Sequence, residues 1–442
     1  MVDIGLRRAV PALLGWMWIS ACAGEGARGT SGEAEEAVEV EEVTVEPDRG
    51  WGEQAGGSGS LNRALAGVAG PTILELRPGH YVLEPSDYAD PTCGNCESDE
   101  GPVPGSVGLR ISGRKVTIAG PDPDSVMIHT GAGYGLLFHD CEDCVLRGVT
   151  VTGGVRDPDP RATNGGIVVR GSSVILQRCV VSNNVGDPDL VRDIVVGISG
   201  IVGREGGDID VRTCRLAGNS WDGIALYRDA QATIRGTVID GVDRATGDRV
   251  GGGRGVGIGV TWNARAVIEE NRIARYWKGI GVFAEAHAQI RENVIEEMAT
   301  WGIAVWGDGR MPSAFVEDNV VFRTGACGIL VDVPTGAGEG SFPPGALARN
   351  ALVETTLDGR YDSGDPYCPQ QPLAGVSVPD SWPVENNLFH RNRRPGPAEE
   401  LDLESFIERA MRLYTFEIEP QAATTSSFFM DAYQEDFGPP FR

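Results

Sequence analysis

Three acidic side chains recur at one position of a repeated sequence phrase and are the first candidates for chemistry. Asp229, Glu285 and Asp308 each lie six residues after a glycine that opens an alternating apolar run. If successive phrases stack as neighbouring strands, Glu285 lies ~5 Å from Asp308 and ~10 Å from Asp229. Inverting glycosidases place two carboxyl groups roughly 6.5–9.5 Å apart. The spacing therefore permits glycoside hydrolysis, although ordinary turn chemistry is the simpler interpretation of Asp here.

Aromatic side chains accompany this acidic column. The fourth residue after each glycine is expected to point outward, and in several phrases it is aromatic. Aromatic rings stack on the apolar faces of sugars while carboxylates bind hydroxyl groups, so the pattern predicts carbohydrate binding. An apolar wall covered by the C-terminal tail is the opposing interpretation. The candidate carbohydrate-binding residues are Tyr227, Phe283, Trp306, Trp221 and Trp277.

Two loops that follow adjacent phrases carry paired aspartates. They contain Asp157 and Asp159 in the first loop, and Asp187 and Asp189 in the second, at almost the same offset. Stacking of the phrases would bring these four carboxylates together. Carboxylate oxygens are ligands that Ca²⁺ prefers, so the loops form a candidate calcium site. Solvated Asp-Pro turns explain the same residues without a metal.

The period of the phrase predicts the elements that position these residues. Strong copies of Gly-apolar-small-apolar start at Gly223, Gly257, Gly279, Gly302 and Gly328, and weaker ones at Gly135, Gly166, Gly200 and Gly375. Uninterrupted steps of 22 to 23 residues indicate a solenoid, in which one coil cannot bury its apolar face alone. Inward polar side chains follow each second strand and can satisfy the turn backbone along the stack. That column is Cys179, Cys214, Thr237, Asn271, Asn293, Asn319, Asn350 and Asn386.

These features resemble the right-handed parallel β-helix repeat of the pectate-lyase-like superfamily over roughly residues 60–395. The stretch ALAGVAGPTILELRPGHYVL, residues 64–83, resembles the start of such proteins, where a cap helix precedes the first strand. The resemblance implies an all-β solenoid of about ten coils, with an N-terminal cap helix and a C-terminal helical and tail cap. A cap covers the apolar core and strand edges that an open end would expose.

The resemblance also implies where chemistry lies. Pectate-lyase-like enzymes act along an outer groove, and their lyases combine calcium with an arginine to remove the α-proton of a uronate. Arg170 and Arg204, on neighbouring coils, are the arginines in question. The Asp-Asp and Gly-His-Gly strings of polygalacturonases and the Asp-Pro-His-Glu signature of alginate epimerases are absent. A polysaccharide lyase or glycoside hydrolase is therefore one hypothesis, and a non-catalytic surface or adhesion scaffold is the other.

The N-terminus has the features of a targeting segment. Arg7 and Arg8 precede an apolar stretch too short to span a bilayer. The string Ile-Ser-Ala-Cys ending at Cys22 resembles the lipobox of bacterial lipoproteins, which implies cleavage before Cys22 and lipid on its sulfur. An ordinary signal peptide with a leftover cysteine is the alternative. The expected divisions are a signal peptide at 1–21, a lipidated Cys22 with an acidic disordered linker at 22–57, the β-helix at 58–395, and a cap helix and tail at 396–442.

Eight cysteines remain if Cys22 carries lipid, and export favours their oxidation. Two Cys-x-x-Cys pairs favour disulfides over a four-thiolate zinc site, because a 44-residue gap separates them. Cys179 and Cys214 occupy one coil position, where a disulfide and a ladder of buried thiols are both open. The disulfide candidates are Cys93, Cys96, Cys141, Cys144, Cys179, Cys214, Cys327 and Cys368.

The net charge of −25 argues against nucleic acid or an anionic membrane surface as a partner. Together with the N-terminal segment and Cys22, the sequence predicts a protein that is exported and lipid-anchored in the bacterial cell envelope, at the outer membrane or cell surface. We expect it to be a monomer. The expected membrane contact is only through the lipid on Cys22, and the expected partner is a polysaccharide or cell-surface glycan. Ca²⁺ is the one candidate cofactor.

Overall fold

The computed structural model describes residues 40–48, 59–96, 101–187, 189–191, 196–241, 255–307, 309–333, 343–357 and 373–393. Within these residues the chain winds into a right-handed parallel β-helix, which confirms the predicted fold class. The glycine phrases stack in register, so that Ile224 pairs with Ile258, and Ile280 with Ile303. The weaker phrase copy predicted to start at Gly375 is out of register, because Gly375 pairs with Val331 and not with Gly328.

Sheet A has 12 strands among the described residues and forms the wall that follows the glycine phrase. Its strands are β1 (Glu41–Val45), β2 (Thr72–Leu76), β6 (Val116–Ala119), β9 (Cys144–Arg147), β12 (Ser173–Gln177), β15 (Asp208–Arg212), β18 (Gln231–Arg235), β21 (Arg265–Glu269), β24 (His287–Arg291), β27 (Ser313–Glu317), β30 (Ala346–Ala348) and β33 (Val384–Glu385).

Sheet B has 11 described strands and follows the asparagine position of each coil. Its strands are β3 (Gly79–Val82), β7 (Val126–His129), β10 (Thr150–Thr152), β13 (Val180–Ser182), β16 (Arg215–Ala217), β19 (Val238–Asp240), β22 (Arg272–Ala274), β25 (Val294–Met298), β28 (Val320–Thr324), β31 (Ala351–Val353) and β34 (Leu388–His390).

Sheet C carries the glycine phrases and has 11 described strands. Its strands are β4 (Ser86–Asp90), β5 (Val103–Ser112), β8 (Tyr134–His139), β11 (Gly165–Arg170), β14 (Ser199–Arg204), β17 (Ile224–Leu226), β20 (Val256–Val260), β23 (Lys278–Phe283), β26 (Ile303–Trp306), β29 (Ile329–Asp332) and β32 (Leu373–Ser377). Only β4 runs antiparallel to its neighbour in the described part of this sheet. From β5 to β34 each coil crosses sheets C, A and B in turn, which agrees with the prediction of about ten coils.

The interior is a stack of aliphatic side chains from all three sheets. Ile234, Ile268 and Ile290 are fully buried in it, as their inward position predicted. The polar column forms a continuous ladder: the side-chain oxygen of Asn293, for example, accepts the backbone N–H of Asn271 at 3.0 Å. Such bonds satisfy turn backbone that water cannot reach.

Cysteine and threonine continue the ladder in earlier coils. The backbone N–H of Cys179 lies 3.5 Å from the sulfur of Cys214, and that of Thr237 donates to Asn271 at 3.0 Å. At the other end the ladder ends on Asn387, which accepts the N–H of Asn350, so Asn386 was the wrong choice. Asn386 instead takes a left-handed φ of 56° in the turn, a conformation that asparagine tolerates.

The cysteines divide between disulfides and thiols. Disulfides join Cys93 to Cys96 and Cys141 to Cys144. The disulfide candidates Cys179 and Cys214 are free, buried thiols that stack as the thiol ladder. Their sulfurs are engaged by backbone groups of the turn, as the asparagine amides are in later coils. Cys327 is also buried, and its sulfur lies 3.0 Å from the carbonyl oxygen of Ile329. Cys368 lies outside the described residues.

The N-terminal end is closed by helix α1 (Ser60–Ala66), which buries Leu61 and Leu65. Strand β1 lies within the segment 22–57 that we expected to be a disordered linker. The acidic composition concealed a short alternation in which Val45 is buried, and the side chain of Asp48 accepts the N–H of Ser60 at 3.0 Å. The signal peptide, Cys22 and the cap and tail at 396–442 lie outside the described residues. Within the described ranges, no helix has the length and apolar character needed to cross a bilayer.

Candidate functional site

The outer face of sheet C carries three columns of side chains, one before and two after each glycine. The column before the glycine includes Ser199, Asp222, Val256, Lys278, Trp301 and Cys327. The middle column includes Val168, Val202, Ala225, Gly259, Gly281, Ala304 and Leu330. The last column is the predicted outward one: His139, Arg170, Arg204, Tyr227, Thr261, Phe283, Trp306 and Asp332.

The segment Asp90–Cys96, which is the end of β4 and the start of the β4–β5 connection, lies across the first part of this face, and we call it the strap. Its contacts reach successive coils of the solenoid. Asp90 binds Arg204 on β14, the carbonyl of Cys96 accepts a hydrogen bond from Arg228 at 3.3 Å, and Asn95 accepts one from Trp262 Nε1 at 3.2 Å. The strap therefore runs along the edge of this face where the strands end, from Arg170 on β11 to Trp262 in the turn after β20.

Arg204 anchors the strap to the solenoid wall. Its side chain is 0% exposed, and its guanidinium lies 2.6 Å from Asp90 and 2.5 Å from Glu205. It also donates to the carbonyl oxygen of Thr92 at 2.8 Å. Burial opposes its charge, but the hydrogen bonds and charges of these carboxylates raise the pKa of Arg204 above its usual value. A guanidinium enclosed in this way is not exposed to a polysaccharide, so its burial argues against the predicted role in proton abstraction.

Arg170 belongs to the same cluster. Its side chain is 15% exposed, 3.3 Å from Glu205 and 3.7 Å from Asp90. Tyr134 donates its hydroxyl to Asp90 at 2.8 Å, and burial raises the pKa of this phenol well above its usual value. Both predicted arginines thus hold the strap, and their ion pairs are with Asp90 and Glu205 instead of the predicted calcium ligands.

Tyr227, the next member of the last column, is also inaccessible. It is 7% exposed, and its hydroxyl hydrogen-bonds the buried carboxyl of Asp222. Asp222 accepts the backbone N–H of Val256 at 2.6 Å and lies near Lys278. Burial raises the pKa of Asp222 to about 7, against the opposing effects of these three neighbours. Tyr227 is therefore not available to stack on a sugar, contrary to the prediction.

Beyond the strap the same face is aromatic and partly exposed. Phe283 and Trp306 are paired neighbours on β23 and β26, and both are half-buried. The rings of Trp301 and Trp306 meet edge to face at 6.3 Å. The Lys278 ammonium lies 4.7 Å from the Trp301 ring centre and 5.8 Å from that of Phe283. We call Lys278, Phe283, Trp301 and Trp306 the aromatic strip.

Small residues keep the floor of this region low. At Gly259 the nearest heavy atom to an added Cβ is 3.8 Å away, which leaves open space above the strand. At Gly281 an added Cβ would lie 2.3 Å from the ring of Phe283, so the ring folds across its own strand only because glycine is there. Trp301 is buried, and its indole N–H has no hydrogen-bond acceptor in the described structure.

The predicted catalytic carboxylates lie in the turns that follow sheet C. Asp229 is exposed in a left-handed turn with φ 64° and accepts a hydrogen bond from the side chain of Asn263. Glu285 binds Arg310 at 2.8 Å, and the Arg310 guanidinium lies 5.0 Å from the ring centre of Trp262. Asp308 lies outside the described residues. The two described carboxylates are therefore engaged by turn partners on different coils.

The predicted calcium ligands are also engaged by protein groups. Asp157 is buried and accepts hydrogen bonds from Ser106 and Asn164, both at 2.7 Å. Asp159 pairs with Arg161 at 2.7 Å, and this hydrogen bonding lowers the pKa of the carboxyl.

The second loop offers no completed site either. Asp187 accepts the backbone N–H of Asp189 at 2.8 Å. Across the described ranges, no group of three or more His, Cys, Asp or Glu side chains is arranged to hold a metal ion. The residues present do not fit the four-carboxylate arrangement, and calcium binding stays a prediction from sequence.

Of the predicted aromatic residues, Phe283 and Trp306 come together, whereas Trp221 and Trp277 lie half-buried at the corner before sheet C. The sequence prediction missed Asp222 and Lys278. Both directly precede a phrase glycine, where strict alternation predicts an inward side chain, so the alternation alone does not identify them. The strap had no comparable signal, because its contacts join residues more than 100 positions apart.

Comparisons with known proteins concern the fold. Residues 165–333 match the family model described as the right-handed beta helix region, which is less than half of the chain. The mannuronan C-5 epimerase AlgE4 A-module of Azotobacter vinelandii has 12% identity and a TM-score of 0.41, over 74% of this chain and 81% of that one. No curated protein matches the sequence significantly.

Two further solved structures show a similar degree of likeness. The pectate lyase Pel9A has 15% identity and a TM-score of 0.39, with 81% of each chain covered. The Dettilon tailspike protein has 15% identity and a TM-score of 0.42, over 76% of this chain and 62% of that one. Likeness at this level supports no statement about the function of this chain. The described residues show that the chain has the right-handed parallel β-helix fold.

Proposed function

We propose that the protein binds a polysaccharide chain on the open part of sheet C, over the aromatic strip. The observation that carries the proposal is the pairing of Phe283 and Trp306 on adjacent coils, beside Lys278 and above a glycine floor. Neighbouring strands are ~4.8 Å apart, so successive rings lie along the solenoid axis at a spacing that suits an elongated ligand. Half-buried rings present apolar faces for stacking without a large cost of ordering their side chains.

The side chains of this face favour binding of a polysaccharide over its cleavage. Arg204 is buried beneath the strap, Asp229 and Glu285 have turn partners, and the raised pKa belongs to Asp222, which is 5% exposed. Reaction at a polysaccharide needs at least two groups that converge on water-accessible substrate. A purely mechanical scaffold, the second hypothesis, would use the same solenoid without any glycan affinity.

Export and lipid anchoring at Cys22 are part of the proposal and rest on the sequence alone. They would place the aromatic strip among envelope or surface glycans. Labelling of cells with a radioactive fatty acid should mark the protein, and Cys22→Ala should abolish the label. Label retained in the Cys22→Ala protein would contradict anchoring at that residue.

The test of glycan binding uses the purified protein and a panel of carboxylated and neutral polysaccharides in affinity electrophoresis. Phe283→Ala and Trp306→Ala are each expected to weaken binding at least about fivefold, because truncating a stacked ring typically costs about 1 kcal/mol or more. Trp221→Ala is the matched control, since Trp221 is half-buried but lies outside the strip. Unchanged affinity in both strip variants, or no binding by the unmodified protein, would favour the scaffold.

A further inference from the structure

The outer face of sheet A carries a groove that is separate from the aromatic strip. It crosses five coils, from β15 to β27, and encloses about 280 Å³. A second hollow shares Gln289 and Phe315 with it and continues to Arg291 and Glu317. Five stacked strands extend over ~19 Å, so this groove suits an elongated ligand.

Strand register arranges the groove as two columns. Gln231, Arg265 and His287 are paired neighbours in the first column, and Thr233, Val267, Gln289 and Phe315 in the second. The alanines between the columns, such as Ala266 and Ala288, point into the core. The lining therefore combines amides, hydroxyl groups, a guanidinium, an imidazole and one aromatic ring, with the carboxylate of Asp208 at the β15 end.

A third outward column on the same strands differs in its partners. Arg235 binds Glu270 at 2.6 Å, and Arg291 binds Glu269 at 2.7 Å, so these charges neutralise one another. Within the described part of the chain, Gln231, Gln289 and Arg265 make no side-chain hydrogen bond or ion pair. The groove thus has hydrogen-bonding capacity that the protein itself does not use.

We propose that this groove is a second glycan site, which takes an oligosaccharide that contains uronate residues. Arg265 offers two parallel N–H groups to a carboxylate, a geometry that guanidinium matches better than ammonium does. Gln231, Thr233 and Gln289 bind hydroxyl groups, and Phe315 with Val267 supplies an apolar patch for the face of a sugar ring. The site is on a different sheet from the aromatic strip, so one molecule binds two chains or two parts of one chain.

The test is isothermal titration of the whole protein with tetragalacturonate and, as the uncharged probe, cellotetraose. Arg265→Gln should weaken tetragalacturonate binding at the sheet A site about tenfold, as expected for loss of a charge-assisted pair. Arg235→Gln is the matched control, because it removes an outward arginine from the neighbouring paired column. Its affinity should stay within twofold of the unmodified protein. Gln289→Ala is a second variant, and it should weaken binding without changing the net charge.

The titration is done in the Trp306→Ala protein, which weakens binding at the aromatic strip. Binding at the groove can then be measured separately from binding at the strip. Binding that persists in Trp306→Ala and falls in Trp306→Ala/Arg265→Gln supports the second site. Equal weakening by Arg265→Gln and Arg235→Gln would show a general charge effect and overturn the proposal. Absence of tetragalacturonate binding in the Trp306→Ala background would overturn it as well, whatever the strip itself binds.

Discussion

The covered and the open parts of sheet C's outer face use one column of the repeat in opposite ways. In the covered part, Arg204 and Tyr227 are buried, Arg204 beneath Asp90 of the strap and Tyr227 against the carboxyl of Asp222. Beyond it, Phe283 and Trp306 sit at the equivalent position and remain half-exposed. The backbone of the repeat is the same in both parts. What makes a position structural or ligand-accessible is the segment that lies above it, not its place in the repeat.

Arg204→Ala should have the largest effect and would test the covered part directly. It leaves the buried carboxylate of Asp90 without its main partner, and losing one member of a buried pair typically costs about 3–5 kcal/mol. Urea unfolding followed by tryptophan fluorescence measures the change. Arg235→Ala, which removes an exposed ion pair, should cost less than about 1 kcal/mol. Equal losses in the two variants would mean that the strap is not an important clamp.

Gly94→Ala should loosen the strap without removing a charge. An added Cβ would lie 2.8 Å from Nε and Cζ of Arg204, so the strap must shift away from the wall. Overpacking of this kind typically costs about 1–3 kcal/mol. Hydrogen exchange of residues 90–96 should accelerate, while residues 278–306 should be unaffected.

Gly70→Ala is its control, because the added Cβ meets no atom within 4 Å. Its exchange rates are expected to match those of the unmodified protein. Unaltered exchange of the strap in Gly94→Ala would contradict the close packing described between Gly94 and Arg204.

Asp222, at the boundary between the two parts, should give the stability a pH dependence. Its pKa rises from the ordinary value of 3.8 to about 7 in the folded protein, mainly through burial. The native state therefore holds the proton more tightly than the unfolded chain does. This contribution to stability is complete below about pH 4 and is lost as the pH rises through about 7.

Asp222→Asn isolates this effect, because the amide oxygen can still accept the Val256 N–H. The free energy of unfolding of the variant should vary less between about pH 5 and 8 than that of the unmodified protein. Asp208→Asn, at an exposed carboxylate, should keep the original dependence. The account of Asp222 fails if its removal leaves the pH profile unaltered.

Lys278→Gln should have the smallest effect and sharpen the description of the open part. An exposed charge pair is typically worth about 0.2–1 kcal/mol, so affinity for a carboxylated polysaccharide should fall by up to about fivefold. Affinity for a neutral polysaccharide should not change. Equal losses for both ligands would indicate that Lys278 orders the rings of Phe283 and Trp301 instead of meeting charge.

The register of the solenoid could be predicted from sequence because it depends on local alternation. Ile234, Ile268 and Ile290 point inward as expected, and Cys179, Cys214 and Thr237 continue the asparagine column. The choice between neighbours such as Asn386 and Asn387 depends on which one takes the left-handed turn, and the sequence does not distinguish them.

Coverage of the outer face could not be predicted in the same way. Asp90 and Arg204 are 114 residues apart, and neither has a periodic neighbour that signals the contact. The resemblance suggests catalysis by Arg170 and Arg204, and position in the repeat suggests sugar binding by Tyr227, but neither argument takes account of the strap. The calcium loops show the same limit, since Asp157 finds Ser106 and Asn164 as partners.

The most direct test of the account is hydroxyl-radical footprinting of the purified protein with and without a saturating polysaccharide that it binds. The account predicts that Phe283 and Trp306 become protected, while Tyr134 and Tyr227 stay equally unreactive in both states. Protection confined to the strap and to the residues beneath it would contradict the central claim. So would a bound polysaccharide that leaves Phe283 and Trp306 as reactive as in the free protein.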